Sequence, residues 1–145
     1  MARLILLLTL LLPTLAHADL WLVGSVTSYH SICPEGCYNR RNLGVGIEVD
    51  HDIHTRWVAG NYENSNYHNS FYAGLTHTPL VLGPLHFGLA FGVVNGYPDY
   101  HSGHFGLVVV PMVQLEGERL GANLFIGPNP GNGGYTAGLQ LKFKL

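Results

Sequence analysis

The sequence predicts an all-β protein: an eight-stranded, antiparallel, up-and-down outer-membrane β-barrel. Three observations predict it. The last ten residues alternate, with Leu139, Leu141, Phe143 and Leu145 on one strand face and Gln140, Lys142 and Lys144 on the other, as suits a strand between lipid and a polar lumen. Eight alternating segments can be marked along the chain, most with the roughly 9–11 residues that a tilted strand needs to cross a bilayer. The connections are alternately long and short, the pattern of outer loops and periplasmic turns in a barrel with both termini in the periplasm.

In chain order, the first element is a leader. Arg3 supplies a positive start, Leu4 to Leu12 is an almost unbroken apolar run, and Ala16-His17-Ala18 is an A-x-A cleavage site. Residues 1–18 are therefore expected to be a signal peptide and residues 19–145 a single barrel domain. The leader's apolar run is too short to span a bilayer, and no later segment is long and apolar enough for a transmembrane helix. A place in the membrane then demands a closed barrel, since only helices and closed barrels satisfy their backbone polar groups in lipid.

Strands are expected at 20–30, 42–50, 54–63, 69–78, 83–94, 104–114, 119–127 and 135–145. The long outer connections are 31–41, 64–68, 95–103 and 128–134; the short turns are 51–53, 79–82 and 115–118. The second strand sets Leu43, Val45, Ile47 and Val49 against Asn42, Gly44, Gly46 and Glu48. The fifth sets Leu85, Phe87, Leu89, Phe91 and Val93 against His86, Gly88, Ala90 and Gly92. With the large sets facing lipid, very small side chains line the lumen. Two readings stay open: room for a slender guest such as an acyl chain, or relief of crowding in a narrow barrel that its own side chains ordinarily fill. A soluble eight-stranded barrel is the competing fold; it needs neither the loop alternation nor an apolar outer face on the last strand.

Composition narrows the function. Charged residues are 11% of the chain, and loss of Arg3 with the leader leaves six of seven Lys/Arg against nine Asp/Glu. No basic patch suggests nucleic acid. Cys33 and Cys37, in Cys-Pro-Glu-Gly-Cys, read as a local disulfide in an exported protein rather than a metal or redox site. His101 and His104 flank Ser102-Gly103 without a further ligand nearby, so neither a metal nor a cofactor is expected. His51 and His54 border a turn, and His86 is placed toward the lumen. Arg40 and Arg41, in the first outer loop, suit either phosphate contacts or loop solubility.

From Tyr38 to the C-terminus the chain carries Tyr38-Asn39 with Gly44-x-Gly46, Tyr62-Glu63-Asn64-Ser65, Ala73-Gly74, His86-x-Gly88-Leu89-x-Phe91, Val110-Pro111-Met112 and Phe125-Ile126-Gly127-Pro128. In order and spacing these pieces resemble the lipid A palmitoyltransferase (PagP) family of outer-membrane enzymes. The resemblance implies an eight-stranded barrel that moves a palmitoyl chain from a phospholipid to a hydroxyl on lipid A, among outer-membrane lipids; a monomer is expected because a closed barrel needs no partner to satisfy its edges. Pro111 and Pro128 match prolines that open a lateral gap in the family's wall, consistent with proline's inability to donate to a ladder. At the family's second gap Asn42 stands where a Pro is expected.

The family's catalytic His, Asp and Ser sit at the outer rim, where acyl transfer needs a base and a group that stabilises the oxyanion. Ser65 falls on the Ser and Asn64 on the Asp. His30 is the expected base, with a shortened first loop; an ungapped alignment would instead put Ser25 at that position. The small lumen residues Gly88, Ala90 and Gly92 become candidates for lining an acyl slot. Thr76 replaces the family's Gly at the floor of its hydrocarbon pocket, which implies a shorter acyl chain than palmitate. The family's amphipathic helix before the first strand has no counterpart after residue 18. Two other functions fit the same residues: a non-catalytic barrel that binds lipid or a partner, and a lipid A deacylase.

Overall fold

A computed structural model describes residues 18–32, 37–129 and 133–145. The expected leader up to His17, and Cys33 of the expected disulfide, lie outside the described residues. Eight strands form one closed barrel in sequence order: β1 (Leu20–His30), β2 (Gly44–Asp50), β3 (Thr55–Glu63), β4 (Asn69–Leu82), β5 (Leu85–Val94), β6 (Gly106–Glu116), β7 (Leu120–Asn129) and β8 (Gly134–Lys144). Each strand is antiparallel to the next, and β8 closes on β1 from Trp21↔Lys144 to His30↔Thr136.

The outer face is apolar all the way round. Leu22, Ile47, Trp57, Phe71, Leu89, Val109, Leu124 and Leu141, one from each strand in turn, are exposed. A continuous greasy belt on a closed barrel is stable in lipid and not in water, so the fold is that of a transmembrane barrel. Aromatic rings mark both ends of the belt. Tyr29 and Tyr135 pair at 6.1 Å on the loop side, and Trp57 meets the edge of His51 at 5.9 Å on the turn side; such rings anchor barrels at the interfaces.

The turn-side half of the lumen is filled by charge. Lys142 donates to Glu48 at 3.0 Å and to Glu116 at 2.5 Å. Arg56 pairs with Asp50 and Glu116, and lies 3.7 Å from Glu48. Asn123 bridges Glu48 (2.5 Å) to Gln140 (3.2 Å), and Gln140 donates to Ser25 at 3.2 Å. Trp21 lies beneath the Lys142 ammonium, 4.8 Å from it to the ring centroid. Buried charges persist only when paired and hydrogen-bonded, and here two cations share the same two carboxylates. His86, as the alternation predicts, faces this cluster, 4.0 Å from Glu116.

The long-short alternation of connections is less even than the sequence suggests: four residues separate β7 from β8, as many as separate β2 from β3. The expected turn at 79–82 lies inside β4, which continues to Leu82; the chain reverses at Gly83-Pro84, with Gly83 at φ 61°. Pro79 misleads because it sits where the β4–β5 register slips between His77 and Leu80, a bulge that tolerates a missing N–H. The β6 and β7 strands both run two residues further than expected, and β7 takes Pro128 into the wall instead of leaving it in the loop. In the turn between β2 and β3, Asp52 accepts the backbone N–H groups of His54 and Thr55, both at 2.8 Å, which hold its carboxyl below the usual range.

Candidate functional site at the outer rim

Strict alternation from Trp21 would turn His30 toward lipid. Trp21, Val23 and Ser25 are buried, and so are Ser28 and His30, while Thr27 and Tyr29 are exposed. The parity changes because Val26 is an extra residue: Ser25 pairs with Gln140, and Thr27 with Leu139. Bulges re-aim side chains in this way, and this one aims Ser28 and His30 into the lumen.

His30 is held on three sides. Its Nδ1 is 3.0 Å from the Thr136 hydroxyl on β8, its Nε2 is 3.1 Å from the Ser28 hydroxyl, and the Tyr38 ring stacks on it at 4.4 Å. Ser65, on the second outer loop, places its hydroxyl 3.5 Å from that of Ser28. Ser28, His30 and Ser65 are all buried. His30 and Ser65 thus meet at one site, through a serine that sequence reasoning missed. Once the bulge is known, the Ser28-x-His30 spacing on one strand face would have found it. Thr136 comes from the far end of the chain and Tyr38 from the loop that follows β1, and nothing local signals either contact.

Asn64 is used differently. Its amide donates to Ser70 Oγ at 2.9 Å and to the Gly96 carbonyl at 2.7 Å, and its oxygen accepts from the Asn66 and His68 backbones at 2.8 and 3.1 Å. That is the full capacity of an amide side chain. An aspartate here would lose both donor bonds, so the residue is suited to fastening the second outer loop to the third. The third loop covers the lumen with Tyr97, whose hydroxyl meets that of Tyr62 at 2.7 Å; burial pushes the Tyr97 phenol up, which keeps it protonated. The first loop is tied down in turn: Asn39 N donates to Ser65 O at 2.8 Å, Ser28 N to Arg40 O at 3.1 Å, and Asn42 to Glu63 O at 3.0 Å.

The wall beside this site is open in its backbone. The β6–β7 ladder runs only from Met112↔Phe125 to Glu116↔Gly121. Above it, Gly106 to Pro111 pair with β5 alone, and Ile126 to Asn129 with β8 alone. Pro111 and Pro128 both lie along this unladdered seam, where a missing N–H costs nothing. A second break lies between β1 and β2, whose ladder stops at Ser25↔Gly44.

The small lumen residues fall into two groups. At Gly88 and Gly92 an added Cβ would lie 2.6 Å from Thr78 Cα and 2.8 Å from Gly74 Cα, so these glycines admit a neighbouring strand's backbone. Gly60, with Gly46, makes room for Tyr72, whose hydroxyl would sit 2.6 Å from a Cβ on Gly60. Gly138 is different: a Cβ there would meet nothing within 4 Å. It shares the lumen face with Thr136 and Gln140 and pairs with Ser28 and Phe125. Open space therefore lies directly below His30, on the side of the β6–β7 seam. Thr76, fully enclosed, is in register with Arg56 and Ala90, at the level where the charged filling begins.

No family model and no curated protein matches this chain. Among solved structures it is similar to a barrel described as "De novo design of transmembrane beta-barrels", at 12% identity and a TM-score of 0.61, over 88% of this chain and 95% of that one. At this identity the likeness concerns the fold: a transmembrane-type eight-stranded barrel.

Proposed function

We propose that the protein is a bacterial outer-membrane acyltransferase that moves an acyl chain from a phospholipid to lipid A. The carrying observation is the adjacency of three features at one end of the barrel. A buried, oriented histidine with two serine hydroxyls lies above open lumen, beside a wall without ladder bonds. Acyl transfer needs a base near a hydroxyl, and His30 is that base. Ser65 supplies a hydroxyl for the oxyanion. The orienting partner that the resemblance expects of Asn64 is supplied by Thr136 on His30 Nδ1. The seam at Pro111 and Pro128 lets a donor chain pass from the bilayer into the lumen, and Arg40 and Arg41, exposed on the first loop, are suited to contact lipid phosphates.

The filling of the lower lumen supports a short donor chain. The open space at Gly138 lies between Thr136, bonded to His30, and Gln140, bonded to Asn123 and Ser25, an interval of about 10 Å for a strand rising ~3.4 Å per residue at a ~40° tilt. A sixteen-carbon chain matches one leaflet, half of a hydrocarbon core of roughly 30 Å. A slot two-thirds as deep takes about ten carbons, so Thr76 and the charges beneath it select a donor shorter than palmitate.

The folded protein in detergent, given phosphatidylcholines of graded chain length and purified lipid A, should transfer chains of about ten carbons best. His30→Ala should abolish transfer. If lipid A loses an acyl chain instead, the deacylase reading replaces this one. If neither lipid changes, the barrel is a binding module and the proposal fails.

A further inference from the structure

The surroundings of His30 restrict how an incoming hydroxyl reaches it. Thr136 occupies Nδ1, Tyr38 covers a ring face, and Ser28 occupies Nε2. The hydroxyl in contact with the base is thus the protein's own. A nucleophile within hydrogen-bond reach of a base, with the base oriented by a third group, is the arrangement that activates a serine for covalent catalysis. Resting on the acyl-transfer reading, we propose that Ser28 is a catalytic nucleophile, and that the acyl chain passes through an ester on its Oγ.

With the histidine proton on Nδ1, shared with Thr136, the Nε2 lone pair accepts the Ser28 proton. Ser28 Oγ then attacks the donor's ester carbonyl, and the C=O electron pair moves to oxygen. Ser65, 3.5 Å from Ser28 Oγ, donates to that oxyanion. Collapse of the intermediate breaks the bond to the glycerol oxygen, which takes the proton from His30 Nε2 and leaves as a lysophospholipid. The acceptor hydroxyl then enters the vacated place, gives its proton to Nε2 and attacks the acyl-Ser28 carbonyl. Ser28 leaves and recovers the proton, so the enzyme is restored and no co-reactant is needed. The open space beside Gly138, paired in register with Ser28, holds the chain during both steps. The nucleophile, base and orienter all come from the β1–β8 pair, and only Ser65 comes from a loop.

The test is to treat the full folded chain in detergent with a decyl fluorophosphonate, and to locate the adduct by tandem mass spectrometry. The phosphonyl group is expected on Ser28, with fluoride released. Labelling should slow by about a hundredfold or more in His30→Ala, the scale of a lost general base, and should move to no other serine. An acid-quenched reaction with didecanoyl phosphatidylcholine should show the decanoyl ester on the same peptide. A label on Ser65, or none on the wild-type protein, overturns the proposal, as does Ser28→Ala transferring acyl chains at the wild-type rate. A labelled Ser28 with unchanged lipid A would leave the nucleophile standing and remove lipid A as the acceptor.

Discussion

Lys142→Met tests the charged filling of the lumen most sharply. None of the Lys142 side chain is exposed, and its ammonium lies 3.0 Å from Glu48 and 2.5 Å from Glu116. Methionine keeps the length and the packing over Trp21, so the substitution removes charge with little change of shape. Deleting one partner of a buried pair costs about 3–5 kcal/mol, because the other charge is stranded. Arg56 still contacts both carboxylates, which places the loss near the lower end, about 3 kcal/mol. Urea unfolding in detergent micelles, followed by fluorescence in a Trp57→Phe background where Trp21 is the remaining tryptophan, reads that loss. At an m-value of ~2 kcal/mol/M the midpoint falls by about 1.5 M. Adding Glu48→Gln should return most of it, since removing both halves of a buried pair is far cheaper than removing one. A single-variant loss under about 1 kcal/mol, or a double variant that merely sums the two singles, would refute the reasoning.

Four other outcomes are expected. Deleting Val26 removes the bulge without changing the facing of the residues after it, because Thr27 then follows Ser25 directly and Ser28 and His30 still face the lumen; the barrel should fold, by its gel-mobility shift, and keep fluorophosphonate labelling at Ser28, whereas loss of labelling would contradict this register. Asn64→Ala breaks four hydrogen bonds, two within its own loop, one to β4 and one to the third outer loop, and should cost about 3 kcal/mol, with faster amide exchange at Asn66 and His68. Pro111→Val supplies an N–H to the β6–β7 seam; acyl transfer should slow if lipid enters there, and an unchanged rate would place the entry elsewhere. The Asp52 carboxyl is held below its ordinary range, so its contribution to the β2–β3 turn is complete above the unfolded-state value and disappears as pH falls through the folded one. Amide exchange at Thr55 across that pH range, compared between the natural chain and Asp52→Asn, reads this directly.

The barrel was legible because lipid outside and a polar lumen inside impose a period of two on every strand, and because loop lengths differ at the two ends. In the β1–β8 pair the alternation from Trp21 to Ser25 and from Thr136 to Lys142 runs unbroken, and it fixes both faces. Legibility stopped where single residues break the period. Val26 carries no mark of a bulge, yet it decides which way His30 points. Pro79 carries a strong breaker signal, yet it sits inside β4 because the bulge absorbs it. Rim residues His30 and Ser65 could be named, but their link through Ser28 and the bond to Thr136 depend on the closure of β8 against β1, a contact across most of the chain. The glycines were ambiguous for a related reason: whether a missing Cβ leaves space or admits a neighbour depends on how tightly adjacent strands approach. That separates Gly138 from Gly88 and Gly92.

The most direct measurement is the mass of lipid A from a Gram-negative host that lacks any such transferase, expressing either the natural chain or His30→Ala. The account predicts a single added acyl group of about ten carbons with the natural chain, and none with the variant. Identical lipid A from both strains, with the barrel folded in the outer membrane, would contradict it.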